Sequence, residues 1–160
     1  MIKDLIVEKI DLKKPAKLKI AIVQSTYHNE LNSNMTNYCR EVLLQNGIPE
    51  DRIHVYYATG TWEVPLIAEA LAKSKRYDAI VAFAIIIKGD TYHFDLIANE
   101  AARSLMNTMI NHQIPVGFEI LAVYHYDQAA TRAADDNYNK GIEAGNAILK
   151  TLKTLNEIVQ

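Results

Sequence analysis

The stretch Ile86-Ile87-Lys88-Gly89-Asp90-Thr91-Tyr92-His93-Phe94-Asp95 passes from an apolar run into a helical pattern, a hand-over suited to a phosphate. Free amides at a helix start attract an anion, Gly89 lets a ligand approach and permits an unusual backbone angle, and the Thr91 hydroxyl can add a hydrogen bond. His93 could exchange protons near neutral pH. The plainer reading is an ordinary turn capped by Asp90 or Thr91, with His93 on the surface. Asp90 would itself repel an anion unless its side chain turns away to cap.

Two further groups carry possible chemistry. Arg132 and Lys140 stand on either side of a probable helix break, where an arginine could clamp a phosphate with two hydrogen bonds and a lysine could act as a point charge. With acids close by, a solvated charged face is the alternative. The turn Gly60-Thr61-Trp62-Glu63-Val64-Pro65 sets the only tryptophan beside a carboxylate. An aromatic face and an acceptor could hold a ring and a polyol; otherwise Trp62 packs and Glu63 favours the next helix start. His28, His54, His112 and His125 fit no metal-ligand spacing, and Cys39 falls mid-helix, where a core role outweighs a nucleophilic one. Dinucleotide, Walker and serine-hydrolase motifs are absent from the sequence.

The elements that must position these groups are legible from periodicity. Residues 18–24, 53–58, 79–87 and 114–123 read as strands, each followed by a helical pattern. Leu31, Met35, Tyr38 and Val42 mark the first helix, which Asn46-Gly47 should stop. Pro65 suits the first turn of the second, which ends near Lys75. The third runs from about residue 93 to 111, and the last two lie near 127–135 and 139–155. Continuously apolar strands imply a sheet covered on both faces. The expected fold is therefore a three-layer, doubly wound α/β domain with a four-stranded parallel sheet and ligands at the carboxyl ends of the strands.

Composition bounds the rest. The 160 residues, 49% apolar with a formal charge of -2, fit one domain over residues 1–160 and give no basic field for nucleic acid. The longest apolar run, Ala79 to Ile87, is about half the roughly 20 residues of a membrane span. The N-terminus lacks a signal-peptide core, and one cysteine suits a reducing cytoplasm. Residues 1–14 read as an arm whose mixed apolar and charged pattern, Leu5 to Ile10, suggests pairing with a neighbouring subunit.

In order and spacing the turns resemble the lumazine synthase family over about Ile20 to Ile148. The likeness rests on Ile20 to Gln24 followed by Tyr27, Gly60 to Pro65, Lys88 to Asp95, Pro115-Val116-Gly117-Phe118, Gln128-Ala129 with Arg132, and Asn139-Lys140-Gly141. It implies a flavodoxin-like fold and condensation of 5-amino-6-(D-ribitylamino)uracil with 3,4-dihydroxy-2-butanone 4-phosphate, the penultimate step of riboflavin biosynthesis, with no cofactor or metal. Tyr27 and Trp62 would flank the pyrimidine, Thr61 to Glu63 would hold the ring edge and ribityl chain, and the main chain of Ile85, Ile86 and Ile87 would read the ring. Gly89, Asp90 and Thr91 would seat the phosphate and His93 would move protons, while Phe118, Arg132 and Lys140 would come from an adjacent subunit. A homo-oligomer built from pentamers follows, with riboflavin synthase as a candidate partner. His28, Thr59, Ala84, Glu119 and Asp136 depart from the family pattern, and Tyr27 and Trp62 replace its usual phenylalanines. Those aromatics keep a flavin-binding or storage shell as the alternative.

Overall fold

The apolar run between Asp78 and Lys88 becomes the longest strand of the sheet in a computed structural model that describes residues 2–159, leaving Met1 and Gln160 outside the described residues. In chain order the strands and helices are β1 (Ile20–Ser25), α1 (Asn29–Gln45), β2 (Ile53–Ala58), α2 (Val64–Lys73) and β3 (Ala79–Ile87), then α3 (His93–His112), β4 (Val116–Val123), α4 (Tyr126–Arg132) and α5 (Lys140–Ile158). All strand pairs are parallel, in the order β2-β1-β3-β4, with Ile20 opposite both Ile53 and Ala79, and Ile80 opposite Val116. This is the flavodoxin-like, three-layer α/β arrangement.

Alternation along β3 divides the core. Val81, Phe83 and Ile85 join the cluster built with α1 and α5, whereas Ile80, Ala82 and Ala84 join the cluster built with α2. A strand apolar at every position is what two helix layers require. On the second face, Glu69 of α2 accepts hydrogen bonds from Thr108 Oγ1 at 2.7 Å and pairs with His112 Nε2 at 2.7 Å, both on α3. Those partners hold the Glu69 carboxyl below its usual range and tie together the two helices that flank the site described below.

Local sequence explains most boundaries. Asn46 ends α1, and Gly47 follows at φ 89°, with the Ile48 N–H returning to Leu43 O at 3.1 Å. That is the left-handed exit glycine favours. Pro65 lies in the first turn of α2. Two strands start later than periodicity implies. Lys19 donates its N–H to Asp78 Oδ2 at 2.8 Å rather than to a neighbouring strand, and the Ile114 N–H closes the end of α3 on Met109 O at 3.2 Å. Helix α4 stops at Arg132, short of the expected 135, so residues 133–139 form a loop.

Within the chain, the arm packs against α1 and α5. Ile2, Leu5, Val7, Ile10 and Leu12 pack against the core cluster that includes α1 and α5. Glu8 pairs with Lys150 at 2.8 Å, and Lys9 Nζ donates to Gln45 O. Among the described residues, no helix is long and apolar enough to cross a membrane.

Candidate active site

A cleft of about 440 Å³ opens at the carboxyl ends of β1, β2 and β3. Its first wall is the turn after β1. The Thr26 N–H donates to Ala58 O at 2.8 Å and the Tyr27 N–H to Thr59 O at 3.2 Å, so the turns after β1 and β2 are locked together. Beneath them the buried Asn32 amide donates to Tyr27 O at 2.9 Å and Ser25 O at 3.2 Å. His28 takes a left-handed φ of 58° and sets its ring edge-on to Tyr27, with centroids 4.5 Å apart. Burying the polar atoms of this turn against one another frees the Tyr27 ring, which is 67% exposed.

The second wall is the 3-10 turn Thr61–Glu63. Glu63 Oε2 accepts the Gly60 N–H at 2.9 Å, a reach-back that fixes the turn and commits one carboxylate oxygen. The helix-start role anticipated for Glu63 is thus partly realised, and its other oxygen remains for a ligand. Trp62, 61% exposed, presents a second free aromatic face. Ile85 to Ile87 form the floor, with His93 and Ile97 from the first turns of α3. Ile97 was not anticipated, although its position four residues after His93 on one helix face was the available signal.

Two expectations for the turn after β3 are corrected. Gly89 does not adopt a left-handed angle; the only glycine with positive φ is Gly47. Its value is space, since a Cβ there would meet nothing within 4 Å. Neither Asp90 nor Thr91 caps α3: the N-cap residue is Tyr92 and no side chain bonds the helix start. Asp90 is exposed in this turn, and Lys88 stands 3.9 Å from Asp95 and 5.7 Å from the Phe94 ring. Lys88 was given no role from sequence.

Phe118, Arg132 and Lys140 do not line the cleft. Phe118 sits half-exposed on the edge strand β4. Arg132 Nη1 donates to Gln128 O at 3.0 Å, and Lys140 pairs with Glu143. Asn139 stitches the intervening loop, accepting from the Gly141 N–H and donating to Ala134 O, each at 2.8 Å. Cys39 is fully buried, which pushes its thiol far above the ordinary range and makes it a core residue rather than a nucleophile.

Glu119, beside Phe118, is buried and pushed up to about 7, first by burial and then by Glu143, with Lys140 opposing. A folded value above the unfolded 4.5 means the native chain holds the extra proton, so this contribution is complete below about pH 4.5 and is lost as pH rises through 7. Glu119→Gln should be more stable than the parent at pH 8, by at most about 3 kcal/mol, and match it only below about pH 4.5. Identical pH profiles in thermal melts would refute this.

The 6,7-dimethyl-8-ribityllumazine synthase family matches residues 17–156. A protein of that name from Deinococcus deserti is 37% identical over 143 residues, covering 89% of this chain and 92% of the relative. The Caulobacter vibrioides 6,7-dimethyl-8-ribityllumazine synthase 1 is 38% identical over 144 residues, covering 90% and 94%. A Desulfovibrio desulfuricans relative of the same name is 31% identical over 141 residues, covering 88% and 90%. With its cleft at the strand ends, its aromatic rim and this likeness along nearly its whole length, the chain belongs to the 6,7-dimethyl-8-ribityllumazine synthase family.

Proposed function

We propose that the chain condenses 5-amino-6-(D-ribitylamino)uracil with 3,4-dihydroxy-2-butanone 4-phosphate, giving 6,7-dimethyl-8-ribityllumazine, phosphate and two waters. The observation that carries this reading is the paired free faces of Tyr27 and Trp62 over the β3 main chain, with His93 in the same cleft, in a member of this family. Tyr27 and Trp62 sandwich the pyrimidine, and the main chain of Ile85 to Ile87 reads its edge. Thr61 and the second oxygen of Glu63 hold the ribityl chain. The phosphate lies in the open space at Gly89, against Asp90 and Thr91 in the turn that leads into α3.

The substrate amine attacks the ketone and loses water to form an imine. Phosphate then leaves, the resulting enol tautomerises to a ketone, and the second nitrogen closes the ring with loss of another water. These steps balance without an oxidant or group carrier. Aligning two reactive molecules supplies most of the acceleration, since effective molarities reach about 10⁵ to 10⁸ M. His93 moves the protons, a contribution of roughly 10² to 10⁴ fold.

Phe118, Arg132 and Lys140 complete the cleft of an adjacent protomer, so residues 1–160 act as one domain in a homo-oligomer built from pentamers, in the cytoplasm. Riboflavin synthase, as consumer of the product, is the candidate protein partner. The same relatives favour a synthase over a flavin-storage shell. Purified protein given both substrates should develop the lumazine absorbance with one phosphate released per lumazine; no product under saturating substrates would end this reading.

A further inference from the structure

We propose that the N-terminal arm is a strap for the loop between α4 and α5, and that Asn137 is the positioning residue through which it sets Arg132 and Lys140. The proposal rests on the reading of those cations as groups that face substrate.

Two side-chain amides grip the arm in the same way, four residues apart. Asn137 Oδ1 accepts the Ile6 N–H at 2.9 Å while its Nδ2 donates to Asp4 O at 3.4 Å. Asn46 Oδ1 accepts the Ile10 N–H at 2.9 Å while its Nδ2 donates to Glu8 O at 3.1 Å. Each amide thus serves the N–H of one arm residue and the carbonyl two residues earlier, the pair of groups that a parallel strand would satisfy. Two side chains, in place of a ladder, hold the arm between Asp4 and Ile10.

The two grips differ in what lies behind them. Asn46 is buried at the end of α1 and also donates to Val42 O at 3.0 Å, so it anchors the arm to the body. Asn137 belongs to the loop of residues 133–139, with Arg132 immediately before it and Lys140 immediately after. That loop is fastened at its ends, by Asn34 Nδ2 to Ala133 O at 2.6 Å and by Asn139 to Ala134 O. Among the described residues, the hydrogen bonds that reach residues 135–138 from outside the loop come from the arm. Apolar packing of Leu5 and Val7 on the core cluster holds the arm down, so Asn137 passes that fixity to the loop.

Asn137→Ala and Asn46→Ala separate the two ends. In Asn137→Ala, amide exchange at residues 135–138 should quicken about tenfold or more, and KM for the butanone phosphate should rise about fivefold with kcat little changed. In Asn46→Ala, exchange should quicken at residues 8–10 while KM holds. Unchanged exchange at 135–138 in Asn137→Ala, or an equal rise in KM in Asn46→Ala, would overturn the strap. The exchange measurement needs no substrate. A parent chain that made no lumazine would therefore sink the proposed function without touching this test.

Discussion

Replacing Gly141 by alanine is expected to cost about 3 kcal/mol or more and to leave little native protein at growth temperature. Gly141 and Gly145 lie one turn apart on the face of α5 that packs against α1. A Cβ on Gly141 would stand 2.8 Å from the carbonyl carbon of Met35 and closer still to its oxygen. Those atoms belong to the backbone in the middle of α1, so relief requires moving one helix against the other. At Gly145 the added carbon would stand 2.9 Å from Val42 Cγ1, a side-chain atom that can yield. Gly145→Ala should therefore be the milder change. In an exposed helix interior the same substitution gains about 1 kcal/mol from propensity, so even the sign depends on this contact. Gly89→Ala, facing open space, should leave the melting temperature unchanged. For a chain of this size each kcal/mol shifts the melt by about 2–4 °C, so Gly141→Ala should fall by roughly 6–12 °C or fail to accumulate. A melt at or above that of the parent would show that the helices separate freely and that the close approach is not structural.

The contrast between glycines also shows what sequence can and cannot reveal. Strand β3 was legible to the residue because Asp78 and Lys88 bound its apolar run, and the exit of α1 was legible because Asn46-Gly47 is a local signal. Gly89 was misread, since a glycine in a turn suggests a special angle and only tertiary surroundings show that it supplies room instead. The absent cap at Asp90 and Thr91 has a similar origin: both residue types cap helices, but α3 begins one residue too late for Thr91 to do so. The arm was the least legible. The residues that hold it within the chain, Asn46 and Asn137, lie 36 and 131 residues from their arm partners, beyond the reach of the local pattern from Leu5 to Ile10. Within the site, the turns carrying Tyr27, Trp62 and His93 could be placed together because parallel strands bring their carboxyl ends to one edge. Asn32, which pins the Tyr27 turn from within α1, has no sequence signature of its own.

Oligomers of His93→Ala and of Arg132→Ala should each be slow for a different reason, and an equal mixture of the two should be faster than either. His93 lines the cleft, so its loss removes proton transfer and lowers kcat roughly 10² to 10⁴ fold, with a residue of turnover left by alignment of the substrates. Arg132 is exposed at the end of α4 and outside its own cleft, so in the proposed assembly it meets the phosphate of a neighbour's substrate. Losing a charged hydrogen bond worth about 1.5–3 kcal/mol should raise KM for the butanone phosphate by about 10 to 100 fold, with much less effect on the pyrimidine. Equal KM effects on both substrates would count against a phosphate contact. When the variants are unfolded and reassembled together at random, a site is intact where an Arg132→Ala copy contributes the cleft and a His93→Ala copy contributes the arginine. That arrangement accounts for roughly a quarter of the sites in a ring, and activity should recover to about that fraction of the parent. If His93 and Arg132 served one site within a single chain, no reassortment could unite them, and the mixture would stay at the mean of the two variants. Complementation therefore tests directly whether chemistry happens between protomers, because neither a folding defect nor a weakened ligand contact can be cured by mixing two damaged copies unless each supplies the half the other lacks.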